Sequence, residues 1–225
     1  RLIQFENSDQ QLAFNFSLDL GISGELRSSL GGLASQLRSA DQAFHERAKE
    51  RNDSLAAGRD SGVEHTKADL QKVWNDAPMV PSRALHEISA AVPSGTVIVD
   101  ESITAFSDVA RLFDFHRPGE YFAGRGGGIG QGLAGVIGTQ VAFPDKRVVA
   151  ISGDGSAMYS IQALWTAVHH QLPIVFIIMS NGEYRVLKHN LDTYRHRFDI
   201  RSDKPYPHMD LTGPSLGFTE MAQGM

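Results

Sequence analysis

The sequence contains no cysteine. Disulfides and thiolate metal sites are thereby excluded, and the composition suits a reducing compartment, so a cytoplasmic location is expected. No apolar run approaches the ~18–20 residues that a helix needs to cross a bilayer. Nothing at the start reads as a signal peptide, and the first residue is Arg1 rather than Met, so the true N-terminus is expected upstream. Basic charge is not in excess either. The 21 Lys+Arg stand against 26 Asp+Glu, a formal charge of −5, which attracts neither nucleic acid nor an anionic membrane. Internal repeats and low-complexity tracts are absent. What remains is 225 residues, enough at roughly 100–200 residues per domain for one large domain, or one domain and part of another. A chain of that size buries roughly 70% of its unfolded surface. A hydrophobic content of 41% beside 21% charged residues excludes wholesale disorder. Glycine, by contrast, is concentrated: nine of the 22 fall between Gly119 and Gly138.

Residues 1–40 begin with Leu2-Ile3-Gln4-Phe5, a strand-like run with nothing before it to pair against. A polar stretch around Asp19-Leu20-Gly21-Ile22 follows, then Leu26, Leu30, Leu33 and Leu37 at helical spacing. This is too little for a core and reads as the tail of a domain whose body lies upstream. Residues 41–76 are strongly charged with alternating signs, and read as a solvated interdomain linker with room for helical turns. From residue 77 the pattern changes. A helix near Ser82–Ala91 leads to the strand Thr96–Val99, and a further helix follows Glu101-Ser102. A glycine-rich stretch opens a helix over Ile129–Phe143. Arg147–Ser152 is a second strand, ending in Gly153-Asp154-Gly155. Next comes a helix with Met158, Ile161, Leu164, Trp165 and Val168 on one face and Ser156 placed to cap its start. Pro173–Met179 is a third strand, ending in Ser180-Asn181-Gly182, and a last helix is predicted near Ser215–Met221. Strands alternating with helices, and apolar on both faces, predict an α/β fold: a parallel sheet flanked by helices. The expected last strand does not follow, so the fold is expected to be incomplete at both ends. Ligands of such sheets lie at the strands' carboxyl ends, where Asp100, Asp154 and Asn181 fall.

Alone, Gly153-Asp154-Gly155 is a tight turn, and so is Asn181-Gly182. Together they say more. A carboxylate between glycines at a strand end, just before a helix N-terminus suited to phosphate, makes sense if a cation lies between the two charges. The glycines would let backbone approach a ligand closely and take up positive φ. Asn181, 27 positions later at the next strand end, would lie beside Asp154. A backbone carbonyl, phosphate oxygens and a water would complete an all-oxygen shell of the kind magnesium prefers. The lack of cysteine and of paired histidines at ligand spacing disfavours zinc. Gly130-Gln131-Gly132-Leu133-Ala134-Gly135 matches the dinucleotide pattern G-x-G-x-x-G, but Phe115–Arg125 is a poor strand to precede it. The glycines from Gly132 onward read better as a helix face packed on the sheet. The nine histidines read as surface or capping residues.

The Gly153-Asp154-Gly155 and Ser180-Asn181-Gly182 segments, with the helix and strand between them, resemble the fingerprint of thiamine diphosphate-dependent enzymes. The surrounding residues are most similar to the benzoylformate decarboxylases among the 2-oxo acid decarboxylases and acetolactate synthases. The resemblance continues through Asp100–Thr104 and Gly127–Gly130 and, more weakly, residues 1–40, which are similar to the end of the family's middle domain. It implies a thiamine diphosphate-binding domain over 77–225, truncated before its last strand. It implies that Asp154, Asn181 and the Glu183 carbonyl hold Mg²⁺ or Ca²⁺. Ile103, Thr104, Gly153, Gly155 and Ser156 would contact the cofactor, and Tyr184 would pack beside its diphosphate. The Gly127 carbonyl, next to Gly128, would receive the pyrimidine amino group, and Ile129 would wedge between the rings. Val186, Leu187 and Asn190 would line the substrate side.

The implied activity is decarboxylation of a small-molecule 2-oxo acid, with or without carboligation. The alternatives are an acetolactate synthase-like or benzaldehyde lyase-like carboligase, or a non-catalytic thiamine diphosphate-binding protein. No residue of this chain is expected to supply the glutamate that activates the cofactor. That group would come from the pyrimidine-binding domain of a neighbouring subunit in a homodimer or homotetramer. Two positions depart from the family pattern. Ser180 stands for the first Asn of the usual pair, and Asn190 stands where an aromatic would favour an aryl substrate. Arg125 reads equally as a cation for a substrate carboxylate or as a surface ion pair.

Overall fold

Successive residues of a strand point to opposite faces of its sheet. Val97-Ile98-Val99 and Val148-Val149-Ala150-Ile151 are apolar at every position, so their sheet must be covered on both sides. The computed structural model bears this out; it describes residues 1–124 and 126–225, and the reading of Arg125 lies outside the described residues. The chain divides into two units, Arg1–Asp69 and Leu70–Met225.

In the first unit, the opening run Ile3–Glu6 (β1) does find a partner. It pairs in parallel with Leu20–Ser23 (β2), from Ile3 opposite Leu20 to Glu6 opposite Ser23. The polar-looking stretch is therefore a strand, tied at its start by the Leu2 amide donating to the Asp19 carboxylate at 2.6 Å. The leucine spacing gives the helix Leu26–Arg38 (α1), capped by Glu25, whose carboxylate accepts from the Arg27 and Ser28 amides. The segment read as a charged linker is occupied over most of its length by one helix, Gln42–Lys72 (α2), in which Leu70 is the buried residue.

The second unit takes in the end of α2 from Leu70 onward, followed by Pro81–Ala91 (α3), where Pro81 occupies the first turn. Then come Val97–Glu101 (β3), Phe106–Leu112 (α4), Tyr121–Ala123 (β4) and Gln131–Ala142 (α5). Val148–Gly153 (β5), Asp154–Ala157 (α6), Ala163–His169 (α7), Ile174–Met179 (β6), Arg185–Arg197 (α8) and Phe218–Gln223 (α9) complete it. The strands form one parallel sheet in the order β4-β3-β5-β6. Ile98, Val149 and Ile151 pack with Leu85 of α3 and Val109 of α4 on one face. Val97, Val99, Val148 and Ala150 pack with Val136 of α5 on the other. Among the described residues, no helix is long and apolar enough to cross a membrane.

Three expectations need correction. The helix after β5 is two short helices separated by Met158–Gln162, and Ser156 lies inside the first rather than capping it; Gly153 is the cap residue. Its buried apolar positions are Ala157, Ala163 and Ala167, while Met158, Trp165 and Val168 are exposed. Small side chains let the backbone approach the sheet; of the large apolar ones expected on one face, Ile161 packs partly buried against them and Leu164 is half-buried. In α5, Gly132 is buried against the sheet, but a Cβ at Gly135 or Gly138 would meet nothing within 4 Å. Lastly, α9 is shifted toward the C-terminus of the predicted helix and begins at Phe218.

Candidate functional site

The register sets the site. Glu101 lies opposite Ser152 and Gly153 opposite Met179, so β3, β5 and β6 release the chain along one edge. A cavity of about 50 Å³ at that edge is lined by Ile103, Thr104, Ile129, Gly153, Asp154, Gly155, Ser156, Asn181, Glu183, Tyr184 and Val186. Gly127, Gly128, Leu187 and Asn190 are outside its lining. Gly127 and Gly128 sit on the loop before α5, with Gly127 at φ +73°, and Leu187 and Asn190 are exposed on α8. Ser102, Met179 and Arg185 line the cavity without having been singled out in the sequence. A larger cavity, about 660 Å³, lies toward the opposite ends of the strands, around Pro93–Thr96 and Phe113–Arg117, and contains none of these groups.

Asp154 is buried and anchors the turn after β6. Its Oδ2 accepts from the Asn181 amide at 3.0 Å, the Gly182 amide at 2.7 Å and the Ser180 hydroxyl at 3.2 Å. Ser180, in place of an asparagine, thus contributes to the same anchor. Oδ1 accepts the Gly155 amide at 2.8 Å and keeps lone-pair capacity. Asn181 Oδ1 accepts the Glu183 amide at 3.0 Å, closing a turn that Gly182 completes at φ +70°. The expected positive φ at Gly153 and Gly155 is not found; Gly153 lies at φ −73°. Gly155 is small for another reason: a Cβ there would lie 2.5 Å from Cε1 of the Tyr184 ring. Burial, then Tyr159 and the Asp154 charge, hold the Tyr184 hydroxyl above its ordinary pKa.

A second layer holds the turn from outside. The Tyr184 amide donates to the Met209 carbonyl at 2.8 Å and the Leu211 amide to the Gly182 carbonyl at 2.7 Å, with Glu183 bridged antiparallel to Asp210. Lys188 of α8 reaches the carboxylates of both Glu183 and Asp210, the latter at 2.6 Å. Lys188, then Arg185, hold the Glu183 carboxyl below its usual range. The strap 209–212 was not visible in the sequence, because no hydrophobic period marks it.

The first strand end is equally constrained. Asp100 accepts the Ser102 amide at 2.8 Å and the Tyr121 hydroxyl at 2.9 Å. Burial and then the Asp100 charge push the Tyr121 pKa well up. Glu101 accepts the Gln131 amide at 2.9 Å, where α5 starts, and a Cβ on Gly132 would lie 2.8 Å from its Cβ. Gly130, at φ +94°, faces Tyr159 at 2.6 Å in the same sense. Two of the three G-x-G-x-x-G glycines, Gly130 and Gly132, are thus explained by close approach within the chain, while Gly135 faces open space, and β4, the strand before them, is three residues long.

Among the described residues, no group of three or more His, Cys, Asp or Glu side chains is placed to hold a metal. The donors that do converge are a carboxylate and a carboxamide beside Glu183, an all-oxygen set that fits Mg²⁺ or Ca²⁺ completed by a ligand's own oxygens.

Residues 103–225 match the family described as thiamine pyrophosphate enzyme, C-terminal TPP binding domain. The chain is 39% identical over 111 residues to a benzoylformate decarboxylase of Pseudomonas aeruginosa, covering 49% of this chain and 21% of that protein. It is 33% identical over 98 residues to the acetolactate synthase isozyme 1 large subunit of Escherichia coli, covering 43% and 17%. A solved Rhodococcus jostii thiamine diphosphate-dependent 4-hydroxybenzoylformate decarboxylase superposes with a TM-score of 0.57 at 31% identity, covering 65% of this chain and 26% of that one. The matched region is thus about a quarter or less of each relative's length.

Proposed function

The chain belongs to the thiamine pyrophosphate enzymes, and from that premise we propose that it carries the cofactor cradle of a thiamine diphosphate- and Mg²⁺-dependent lyase that decarboxylates a 2-oxo acid. The observation that carries the reading is the single cavity joining Thr104, Asp154 with Ser156, and Asn181, three strand ends that the sequence leaves far apart. Bound there, thiamine diphosphate would supply an electron sink for the carbanion left when CO₂ departs. The chain's own residues bind and orient. Asp154, Asn181 and the Glu183 carbonyl would hold the cation that neutralises the diphosphate. Thr104 and Ser156 would offer it hydroxyls, while Ile129 would stand between the two rings and the Gly127 carbonyl would take the pyrimidine amino group. Val186, with Leu187 and Asn190 beyond it, would face the substrate.

In this reading the activating glutamate belongs to the pyrimidine-binding domain of a neighbouring subunit, in a homodimer or homotetramer. Similarity to an acetolactate synthase favours a second reading, in which the site would also admit a second carbonyl compound as acceptor and the reaction would end in carboligation. The test is to load the intact protein with thiamine diphosphate and Mg²⁺ and follow CO₂ release from a panel of 2-oxo acids. Turnover of at least one is expected, and Asp154→Ala should abolish Mg²⁺-dependent cofactor binding. Bound cofactor with no CO₂ from any substrate sinks the enzyme reading; unchanged affinity in the variant sinks the cation site.

A further inference from the structure

Folded proteins leave very few buried polar groups without a hydrogen-bond partner, and each exception calls for a ligand, a water or a functional reason. Among the described residues, four buried side-chain atoms have none: Glu101 Oε2, Ser102 Oγ, Gln140 Oε1 and Ser160 Oγ. Ser102, at 2% exposure, lines the cavity shared by Asp154 and Asn181.

The surroundings hold Ser102 in place while leaving its hydroxyl free. Its amide donates to the Asp100 carboxylate at 2.8 Å, and that carboxylate is held in turn by the Tyr121 hydroxyl at 2.9 Å. The next residue, Ile103, sits at φ +52°, a left-handed conformation that a β-branched side chain rarely adopts and that persists where neighbours over-determine it. The Ser102 carbonyl lies 3.8 Å from where a Cβ of Gly153 would be. Ser102 therefore stands beside Gly153, the residue that precedes Asp154. A fixed, desolvated hydroxyl there suits an anionic oxygen, since a hydrogen bond to a charged acceptor is about twice as strong as a neutral one.

We propose that Ser102 is a further cofactor-contacting residue, whose hydroxyl donates to a diphosphate oxygen of the ligand in this cavity. The proposal rests on the cofactor reading above and adds a donor beyond Thr104 and Ser156. It is tested with Ser102→Ala in the intact protein by titrating thiamine diphosphate in the presence of Mg²⁺ and following tryptophan fluorescence. Inorganic pyrophosphate is used as competitor, and the melting temperature of the cofactor-free protein is measured alongside. The expected result is a loss of about tenfold in affinity for both thiamine diphosphate and pyrophosphate, with a cofactor-free melting temperature no lower than that of the parent. Parent-like affinities in the variant overturn the Ser102 assignment and leave the cofactor reading intact. A weaker affinity accompanied by a lowered cofactor-free melting temperature assigns Ser102 to the fold and overturns it likewise. A parent protein that binds no thiamine diphosphate overturns both.

Discussion

Gly155 separates Asp154 from Ser156 inside a helix, where glycine costs roughly 0.5–1 kcal/mol relative to alanine. What offsets that cost is contact with Tyr184, whose ring comes so close that a Cβ would overlap it at 2.5 and 2.9 Å. Tyr184 opens α8 and lines the cavity, so the contact fixes the distance between two of the strand ends that build the site. Gly155→Ala must push the ring away. The expected outcome is a loss of about 1–3 kcal/mol in denaturant unfolding, together with weaker binding of thiamine diphosphate. An alanine variant as stable as its parent would show that the ring can move at no cost. At this scale the sequence was most legible where a residue's position decides its role. Asp154 and Asn181 could be placed together because strand ends share an edge. The contact between Gly155 and Tyr184, and the unpartnered Ser102 hydroxyl, depend on distances that no spacing encodes; the sequence suggests close approach to a ligand and positive φ for Gly155, and the structure shows close approach to Tyr184 without positive φ.

The element that holds the site from outside is the strap 209–212, hydrogen-bonded to the turn 182–184 and locked by Lys188 between Glu183 and Asp210. Exposed ion pairs contribute little to global stability, but this one bears on the geometry of a short turn that carries Asn181 and the Glu183 carbonyl. Lys188→Met leaves two carboxylates facing each other without the ammonium between them. The expected result is faster hydrogen exchange at the Tyr184 and Leu211 amides, with the core strands β3 and β5 exchanging as before. A several-fold higher Mg²⁺ requirement for cofactor binding should accompany it. Unchanged exchange at both amides would mean that the backbone ladder holds the turn unaided. The strap was illegible in the sequence because it pairs with the distant turn 182–184 and its residues follow no period. The β3 and β5 strands were legible because both their faces are apolar, and α5 because its glycine-rich approach leads into a helical run. The division of α6 from α7 is not legible because a large-apolar period runs through Met158–Gln162, whereas the fully buried apolar positions are the small residues Ala157, Ala163 and Ala167, with Ile161 packed partly against them.

At the scale of the whole molecule, that same inversion leaves apolar side chains in solvent. Trp165 is 54% exposed and Val168 60%, and Trp165 lies stacked on the His169 ring, 4.8 Å between centroids. Soluble proteins scatter single apolar residues over their surfaces, but under the proposed function a large aromatic and a valine one helical turn apart on α7 would offer a surface for a partner to cover. The proposed function requires such a partner, since the group that activates the cofactor is expected from a neighbouring subunit. The two arguments meet in one experiment on the intact protein. Trp165→Glu places a charge where a second copy would bury an aromatic anchor, and losing such an anchor typically raises a dissociation constant by roughly tenfold or more. Sedimentation velocity should then detect dissociation at concentrations where the parent remains assembled. Decarboxylation should fall with the dissociated fraction and recover as protein concentration rises, while thiamine diphosphate still binds at the cradle through Asp154 and Asn181. A variant that assembles like its parent would remove α7 from the subunit interface. A dissociated variant with full activity would place the activating glutamate within the same subunit.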